Sequence, residues 1–340
     1  GASWNGARAF TATSGPGISL MSEFLGLAYF AEIPAVLVNV QRTGPSTGMP
    51  TRTQQSDLIS CAYASHGDTK HPLLFPCDPK ECFDMTAQAF DLAERLQTPV
   101  IVMSDLDLGM NDHYSPPLNW GPERVYDRGK VLSAAELDGL TTAWGRYLDT
   151  DGDGICSRTY PGTHPDKGVY FTRGTSRNEY SAYTEDGGAY TRNMERLQLK
   201  WETAKTLLPP PRIKLNEPQA RLGAVFFGSS TPAVYETIER LRARGIAVDT
   251  MRLRAFPFQP NALDFIHRHE LVFVIEQNRD GQMRTLLINE GDLVPHKLIA
   301  INSYDGLPLA SRSLTQAMEE ALAERGILLQ QLAPGQGDAQ

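Results

Sequence analysis

The densest run of chemistry-bearing side chains is Gln41-Arg42-Thr43-Gly44-Pro45-Ser46-Thr47-Gly48-Met49-Pro50-Thr51-Arg52-Thr53-Gln54-Gln55-Ser56-Asp57. It holds two arginines, six hydroxyl side chains, three glutamines and two glycines, with no carboxylate before Asp57. Such a loop suits a carboxylate or phosphate: Arg42 forks onto two oxygens while Thr and Ser hydroxyls fill the remaining acceptor sites. A solvated polar loop is the plainer alternative, but the length and one-sided polarity favour binding. A second run, Thr11-Ala12-Thr13-Ser14-Gly15-Pro16-Gly17, falls between strand-like and helix-like segments. There the glycines permit a tight turn, and a helix N-terminus offers free N–H groups to a polar or anionic ligand. It is neither the dinucleotide fingerprint nor the phosphate loop ending in Gly-Lys-Ser/Thr. On the residues alone, an ordinary strand-to-helix turn accounts for it slightly better.

Three further groupings carry weaker signals. Asp149-Thr150-Asp151-Gly152-Asp153-Gly154-Ile155 matches the first half of a calcium loop, with Asp149, Asp151, Asp153 and the Ile155 carbonyl as ligands for Ca²⁺ or Mg²⁺. Tyr160 stands where the loop's closing Glu is expected, so a partial cation site and a metal-free Asp/Gly turn are equally consistent. His66-Gly67-Asp68, His71 and His113 offer titratable imidazoles, each better explained as a structural histidine. Glu276-Gln277-Asn278-Arg279-Asp280-Gly281-Gln282 reads as a strand-to-helix loop at a sheet edge, more readily a surface that docks on another subunit than a site.

The elements that must position these groups follow from hydrophobic periodicity. Residues 1–110 alternate strands (Ala7–Thr13, Ala35–Val40, Leu73–Pro76, Pro99–Ser104) with helices (Ser19–Ala31 and Pro79–Leu96). Ser19–Ala31 is apolar on most faces and is expected to be buried. Pro99–Ser104 is continuously apolar, as in a parallel sheet covered on both faces. Residues 111–215 are rich in Gly, Asp, Thr, Tyr and Pro, with one helix from Tyr190 to Leu207 stopped by Pro209-Pro210-Pro211. Residues 220–326 return to α/β, with strands Leu222–Phe227, Ile246–Leu253, Leu271–Glu276 and Lys297–Ile301 and helices Thr231–Arg244 and Ser313–Arg325. The division is therefore an α/β domain over 1–120, an ordered connector over 121–215, a second α/β domain over 216–330 and a frayed tail over 331–340.

Composition bounds the function. The chain has 340 residues, 41% hydrophobic and 21% charged, which excludes disordered, collagenous and disulfide-scaffold classes. A net charge of −8 argues against nucleic acid or an anionic membrane as partner. The longest apolar stretch, Leu25–Val40, is cut by Glu32, Pro34 and Asn39, so no membrane span is expected. Four cysteines without a C-x-x-C pair point to a reducing, cytoplasmic setting and to no metal or cluster on this chain's thiols.

Taken together, Gly6-Ala7-Arg8-Ala9-Phe10 running into TATSGPG, SLMSEFLGLAYFAEIPAVLV, VQRTGPSTGMPTRTQQSDL and GDGICSRTYPGTHPDKGVYFTRGTS resemble the α subunit of 2-oxoacid:ferredoxin oxidoreductases, most closely the 2-oxoglutarate member. TATSGPG alone also resembles the pyrimidine-binding domain of acetolactate synthase-like thiamine enzymes. The resemblance covers essentially residues 1–325. It implies a thiamine-diphosphate pyrimidine-type domain, incomplete at its N-terminus, followed by a transketolase C-terminal-like α/β domain carried by LGAVFFGSS and VIEQNRDGQ. It implies oxidative decarboxylation of a 2-oxoacid: the cofactor thiazolium attacks the ketone, carbon dioxide leaves, two electrons pass singly to ferredoxin, and coenzyme A takes the acyl group. A partner β subunit is implied to hold the diphosphate, Mg²⁺ and a [4Fe-4S] cluster in an (αβ)2 assembly. Residue by residue, Arg42 matches the family arginine beside cofactor and substrate. Thr43, Ser46, Thr47 and Gly48 match its loop, and Thr13, Ser14 and Gly15 face the cofactor. The family's cofactor-activating carboxylate is expected before Gly1. Pyruvate or branched-chain specificity, or a structural or cation-binding subunit without catalytic residues, are the alternatives.

Overall fold

The computed structural model describes residues 1–121, 124–216 and 220–327; the 331–340 tail lies outside them. In chain order the first half gives β1 (Phe10–Thr13), α1 (Gly15–Ala31), β2 (Ala35–Gln41), α2 (Leu58–Ala62), β3 (Leu73–Leu74), α3 (Pro79–Leu96), β4 (Pro99–Asp105) and α4 (Leu106–Met110). The connector holds α5 (Ala134–Gly139) and α6 (Gly187–Leu207). The second half gives β5 (Arg212–Lys214), β6 (Leu222–Phe227), α7 (Thr231–Arg242), β7 (Val248–Leu253), β8 (Ala255–Phe256), α8 (Pro260–Arg268), β9 (Leu271–Glu276), α9 (Gln282–Gly291), β10 (Leu298–Asn302) and α10 (Ser311–Ala323).

Two five-stranded sheets result, ordered β1-β2-β4-β3-β8 and β10-β9-β6-β7-β5. Both are parallel except at one edge, where β8 pairs antiparallel with β3 and β5 with β7. Strand β8 is therefore a piece of the second half built into the first sheet, Leu73 opposite Phe256. The sheets also share one core: Leu37, Ile101 and Met103 of the first pack in the same apolar cluster as Val225, Phe227, Met251 and Val274 of the second, joined by Trp201 of α6. Each fully buried Leu, Val or Phe in it contributes roughly 1.5–3 kcal/mol, so the two halves are welded by burial rather than merely tethered.

Local rules set the ends of the helices. Helix α1 starts at Gly15, four residues before the apolar stripe suggests, because Pro16 is tolerated in a first turn. Asp78 caps α3 by accepting from the Glu81 N–H at 2.7 Å, and Asp186 caps α6 by accepting from the Ala189 N–H at 2.7 Å. Helix α1 is not buried all round. Ile18, Leu25 and Tyr29 face the core, whereas Leu20 (86% exposed), Phe24 (72%) and Leu27 (39%) form an i, i+4, i+7 stripe open to solvent. Its apolar composition reflects two apolar faces, only one of which is covered among the described residues. Among the described residues, no helix is long and apolar enough to cross a membrane.

Candidate functional site

The carboxyl ends of the two sheets meet. Asp105 at the end of β4 accepts from Ser229 Oγ, after β6, at 2.5 Å, and Gln277, after β9, donates to the same Ser229 Oγ at 3.0 Å. Burial pushes the Asp105 carboxyl up, with Ser229 and the Leu108 N–H pulling the other way. Beside this seam opens a cleft of about 890 Å³. One wall is Gly15, Pro16 and Leu20 of α1 with Arg42, Thr43, Ser46 and Asp57; the other is Asn278, Arg279, Asp280, Gln282 and Tyr304.

Strand β2 delivers Arg42 into this cleft. The loop after it is folded on itself: the Thr43 N–H donates to the Arg52 carbonyl at 2.8 Å, Thr43 Oγ1 donates to the Thr53 carbonyl at 3.1 Å, and the Gly44 N–H donates to Gln54 Oε1 at 3.0 Å. Thr43 therefore closes the loop with its polar atoms. Ser46 takes the left-handed region at φ 54, and Gly48 sits at φ 41 with its Cα so near Thr43 that a Cβ would lie 2.1 Å from the Thr43 carbonyl oxygen. Gly48 is a glycine because backbone passes there. Arg42 differs from its surroundings. Among the described residues its side chain joins no salt bridge, although Asp57 lies near enough to feel its charge.

Asp57 closes the floor. Its Oδ2 accepts from Asn39 Nδ2 at 3.1 Å, and its N–H donates to Gln41 Oε1 at 3.2 Å. Burial pushes its carboxyl up, while Asn39 and the nearby Arg42 pull it down. A Cβ on Gly15 would lie 2.7 Å from Asp57 Oδ1, and one on Gly17 would overlap Thr13 Oγ1 at 1.8 Å. Neither glycine has a positive φ. The Gly-Pro-Gly run thus serves close side-chain approach, where the sequence suggested a special turn.

Of the residues singled out from sequence, the structure brings Gly15, Arg42, Thr43 and Ser46 to the cleft wall. Thr13 and Ser14 lie behind it, Thr13 Oγ1 near the Ser14 carbonyl at 3.4 Å, and Thr47 and Gly48 sit on the exposed outer turn of the loop. The Glu276–Gln282 run, read more readily as a surface for another subunit than as an edge site, lines this chain's own cleft. Asp57 and Tyr304 were the missed wall residues, whereas Asn278, Arg279, Asp280 and Gln282 belong to the run that the sequence offered as a less favoured edge site. His71 is buried, its ring Nε2–H donating to the Ala64 carbonyl at 3.0 Å, and burial lowers it to about 4. His66 and His113 lie outside the cleft.

The Asp149–Ile155 loop sits away from the cleft and already contains a cation. Lys130 Nζ lies 2.7 Å from each of Asp151 Oδ1, Asp153 Oδ1 and the Ile155 carbonyl, three of the four ligands foreseen for a metal. Asp149 instead accepts from the Gly152 and Gly154 N–H groups at 2.9 and 2.8 Å. Partial burial works against the Lys130 charge, but the two carboxylates outweigh it and raise its pKa. The three aspartates can still gather around an ion, provided Lys130 gives way. The four cysteines are all unpaired.

The chain is similar in sequence and fold to known proteins. Residues 1–118 match the model of the pyruvate flavodoxin/ferredoxin oxidoreductase, thiamine-diphosphate-binding domain. The α subunit of 2-oxoacid:ferredoxin oxidoreductase 2 of Aeropyrum pernix is 33% identical over 327 residues, 95% of this chain and 49% of that protein. The 2-oxoglutarate synthase subunit KorA of Methanothermobacter thermautotrophicus is 52% identical over 109 residues, 32% of this chain and 29% of that protein. A 2-oxoglutarate:ferredoxin oxidoreductase from Magnetococcus marinus, solved with 2-oxoglutarate, coenzyme A and succinyl-CoA bound, superposes with a TM-score of 0.84 at 30% identity, over 94% of this chain and 54% of that one. The resemblance to 2-oxoacid:ferredoxin oxidoreductase α subunits holds over nearly the whole chain. The chain spans about half the length of that Aeropyrum relative. A split-gene transketolase at 12% identity and TM-score 0.52 shares the fold alone.

Proposed function

We propose that this chain forms the arginine-bearing wall of the active site in a cytoplasmic, coenzyme A-dependent 2-oxoglutarate:ferredoxin oxidoreductase. The observation that carries the proposal is Arg42, a partly buried guanidinium left without a carboxylate partner in a large cleft at the carboxyl ends of both sheets. A 2-oxoacid is an anion with two forked carboxylate oxygens, the geometry a guanidinium matches best. The KorA relatives and the Magnetococcus structure support 2-oxoglutarate over pyruvate or branched-chain oxoacids.

The cleft also fits thiamine diphosphate in part. Pro16 and Leu20 offer an apolar face for a flat heterocycle, and Asp57, with Asn39 behind it, offers an acceptor nearby. The diphosphate, Mg²⁺ and a [4Fe-4S] cluster belong, on this reading, to the β subunit; the one grouping of three metal-binding side chains among the described residues, Asp149, Asp151 and Asp153, lies outside the cleft. When bound, the cofactor supplies the nucleophilic carbon and the electron sink for decarboxylation. This chain's part is orientation. Arg42 fixes the oxoacid carboxylate, and the loop hydrogen bonds hold Arg42 at a set depth. The uncovered stripe of Leu20, Phe24 and Leu27, continuous with the cleft through Leu20, supports a partner subunit that closes the site from that side. Ferredoxin and coenzyme A then meet the completed (αβ)2 assembly.

A turnover panel on the chain assembled with its β subunit and ferredoxin tests the proposal. Highest kcat/KM for 2-oxoglutarate is expected; equal or higher values for pyruvate or a branched-chain oxoacid would overturn the assigned specificity.

A further inference from the structure

Arg42 stands on a loop whose far end is held from two sides, by β2 through Asp57 and by a segment of the second domain. Segment Gln55–Ile59 lies against the Glu276–Gln282 run and is joined to it through four backbone atoms. The Gln55 N–H donates to the Gln277 carbonyl at 2.7 Å, and the Gln55 carbonyl accepts from Asn278 Nδ2 at 2.9 Å. The Ser56 carbonyl accepts from Gln282 Nε2 at 2.6 Å, and the Ile59 N–H donates to Gln282 Oε1 at 3.1 Å. Asn278 is itself oriented, donating to Glu276 Oε2 at 2.6 Å and accepting from the Gln282 N–H at 3.1 Å. Glu276 in turn accepts from the Met283 and Arg284 N–H groups at the start of α9. Burial pushes its carboxyl up against those bonds.

We infer that Asn278 and Gln282 are positioning residues that set the depth of Arg42 in the cleft by clamping segment 55–59 from the second domain. This rests on the reading of Arg42 as the carboxylate-binding group. The polar ends of both amides are consumed by segment 55–59 and by the start of α9. Between the two lies Asp57, bonded to Asn39 and Gln41 of β2, the strand that carries Arg42 at its end. The path from clamp to guanidinium is therefore continuous: Gln282 to Ser56 and Ile59, Asp57 to β2, β2 to Arg42. A guanidinium binds a carboxylate bidentately only when its plane is aligned, so a loosened segment weakens binding while leaving the charge in place. A lysine ammonium at the same position has no plane to align and is insensitive to the clamp.

The test uses the assembled α–β complex with ferredoxin. Gln282→Met removes both bonds at constant length, and Gln282→Glu keeps acceptance from the Ile59 N–H while losing donation to Ser56. The expected outcome is a rise in KM for 2-oxoglutarate of about 10-fold for Gln282→Met and about 3-fold for Gln282→Glu, with kcat changed far less. In an Arg42→Lys background the effect of Gln282→Met shrinks to less than about 2-fold, because coupled residues are non-additive. Hydrogen exchange of the same complexes gives a readout independent of turnover: amides 42–57 exchange faster in Gln282→Met, while those of β4 and β6 keep their protection. An equal KM effect in both backgrounds would show that Gln282 touches the substrate directly and would overturn the positioning role, as would unchanged exchange in 42–57. If Arg42→Lys itself leaves the KM unchanged, the carboxylate reading of Arg42 fails, and the clamp's functional meaning with it.

Discussion

Arginines occupy two contrasting settings in this molecule. In the connector, Arg196, Lys200, Arg177 and Arg146 converge on one buried carboxylate, Glu32, at the end of α1. Arg196 Nη1 and Lys200 Nζ lie 3.1 and 2.9 Å from Glu32 Oε2, and Arg146 Nη2 donates to the Glu32 carbonyl at 2.9 Å. Arg177 stacks 3.7 Å from the Tyr147 ring and 4.2 Å from Phe30. Burial pushes the Glu32 carboxyl up, but Arg196 and Lys200 overcome it and hold the group well below the usual carboxylate range. At the cleft, Arg42 has hydroxyls, glutamines and glycines around it and Asp57 nearby, but among the described residues no carboxylate in salt-bridge range. The lesson is that charge spent internally makes structure, whereas charge kept from internal partners is available to a ligand.

That contrast can be broken from the structural side first. Glu32→Gln strands several buried cations, and a loss of about 3–5 kcal/mol is expected, read as a large drop in Tm. A Tm unchanged from wild type would mean that the connector cluster is not a structural ion-pair site. Smaller and pH-dependent is the bridge between the halves, where Arg252 grips both oxygens of Glu81 at 2.7 Å. Burial opposes the Glu81 charge, yet Arg252 and Arg254 hold its carboxyl at about 2 against an ordinary 4.5. A depressed carboxyl contributes stability that is present above the unfolded value and lost as pH falls through the folded one. Wild-type stability is therefore expected to fall between pH about 4.5 and 2, with a flatter profile for Glu81→Gln. Identical acid profiles by thermal melting would remove Glu81 from the account. The smallest effect belongs to Lys130, whose ammonium fills the Asp149–Asp153 loop. Calorimetry is expected to show little Ca²⁺ binding by wild type and weak, measurable binding by Lys130→Met; equal heats in both would show that Lys130 does not compete.

Much of this was legible in the residues. Apolar runs such as Pro99–Ser104 and Leu271–Glu276 are strands within a residue of their sequence limits, because a strand covered on both faces leaves no ambiguity of period. Helix α8 was missed although Ala262, Phe265 and Ile266 form a buried stripe, because its nine residues, following closely on Phe256-Pro257-Phe258, read with that Pro-rich run. Strand β8 was missed because a two-residue pairing with β3, some 180 residues earlier, depends on tertiary packing and leaves no local pattern. At the site, Arg42 was visible through the one-sided polarity of its loop. The run holding Asn278 and Gln282 was singled out, but its grip on segment 55–59 was not legible, since which backbone an amide holds depends on how two domains dock. The solvent-facing stripe of α1 was likewise hidden, because composition does not distinguish a face buried in the chain from one reserved for a partner.

The most direct measurement is the steady-state turnover of 2-oxoglutarate by the assembled complex carrying Arg42→Ala. Loss of a charge-assisted fork predicts a fall in kcat/KM equivalent to about 2–4 kcal/mol, with Tm within experimental error of wild type. Full turnover by Arg42→Ala would contradict the claim that this unpaired arginine receives the substrate.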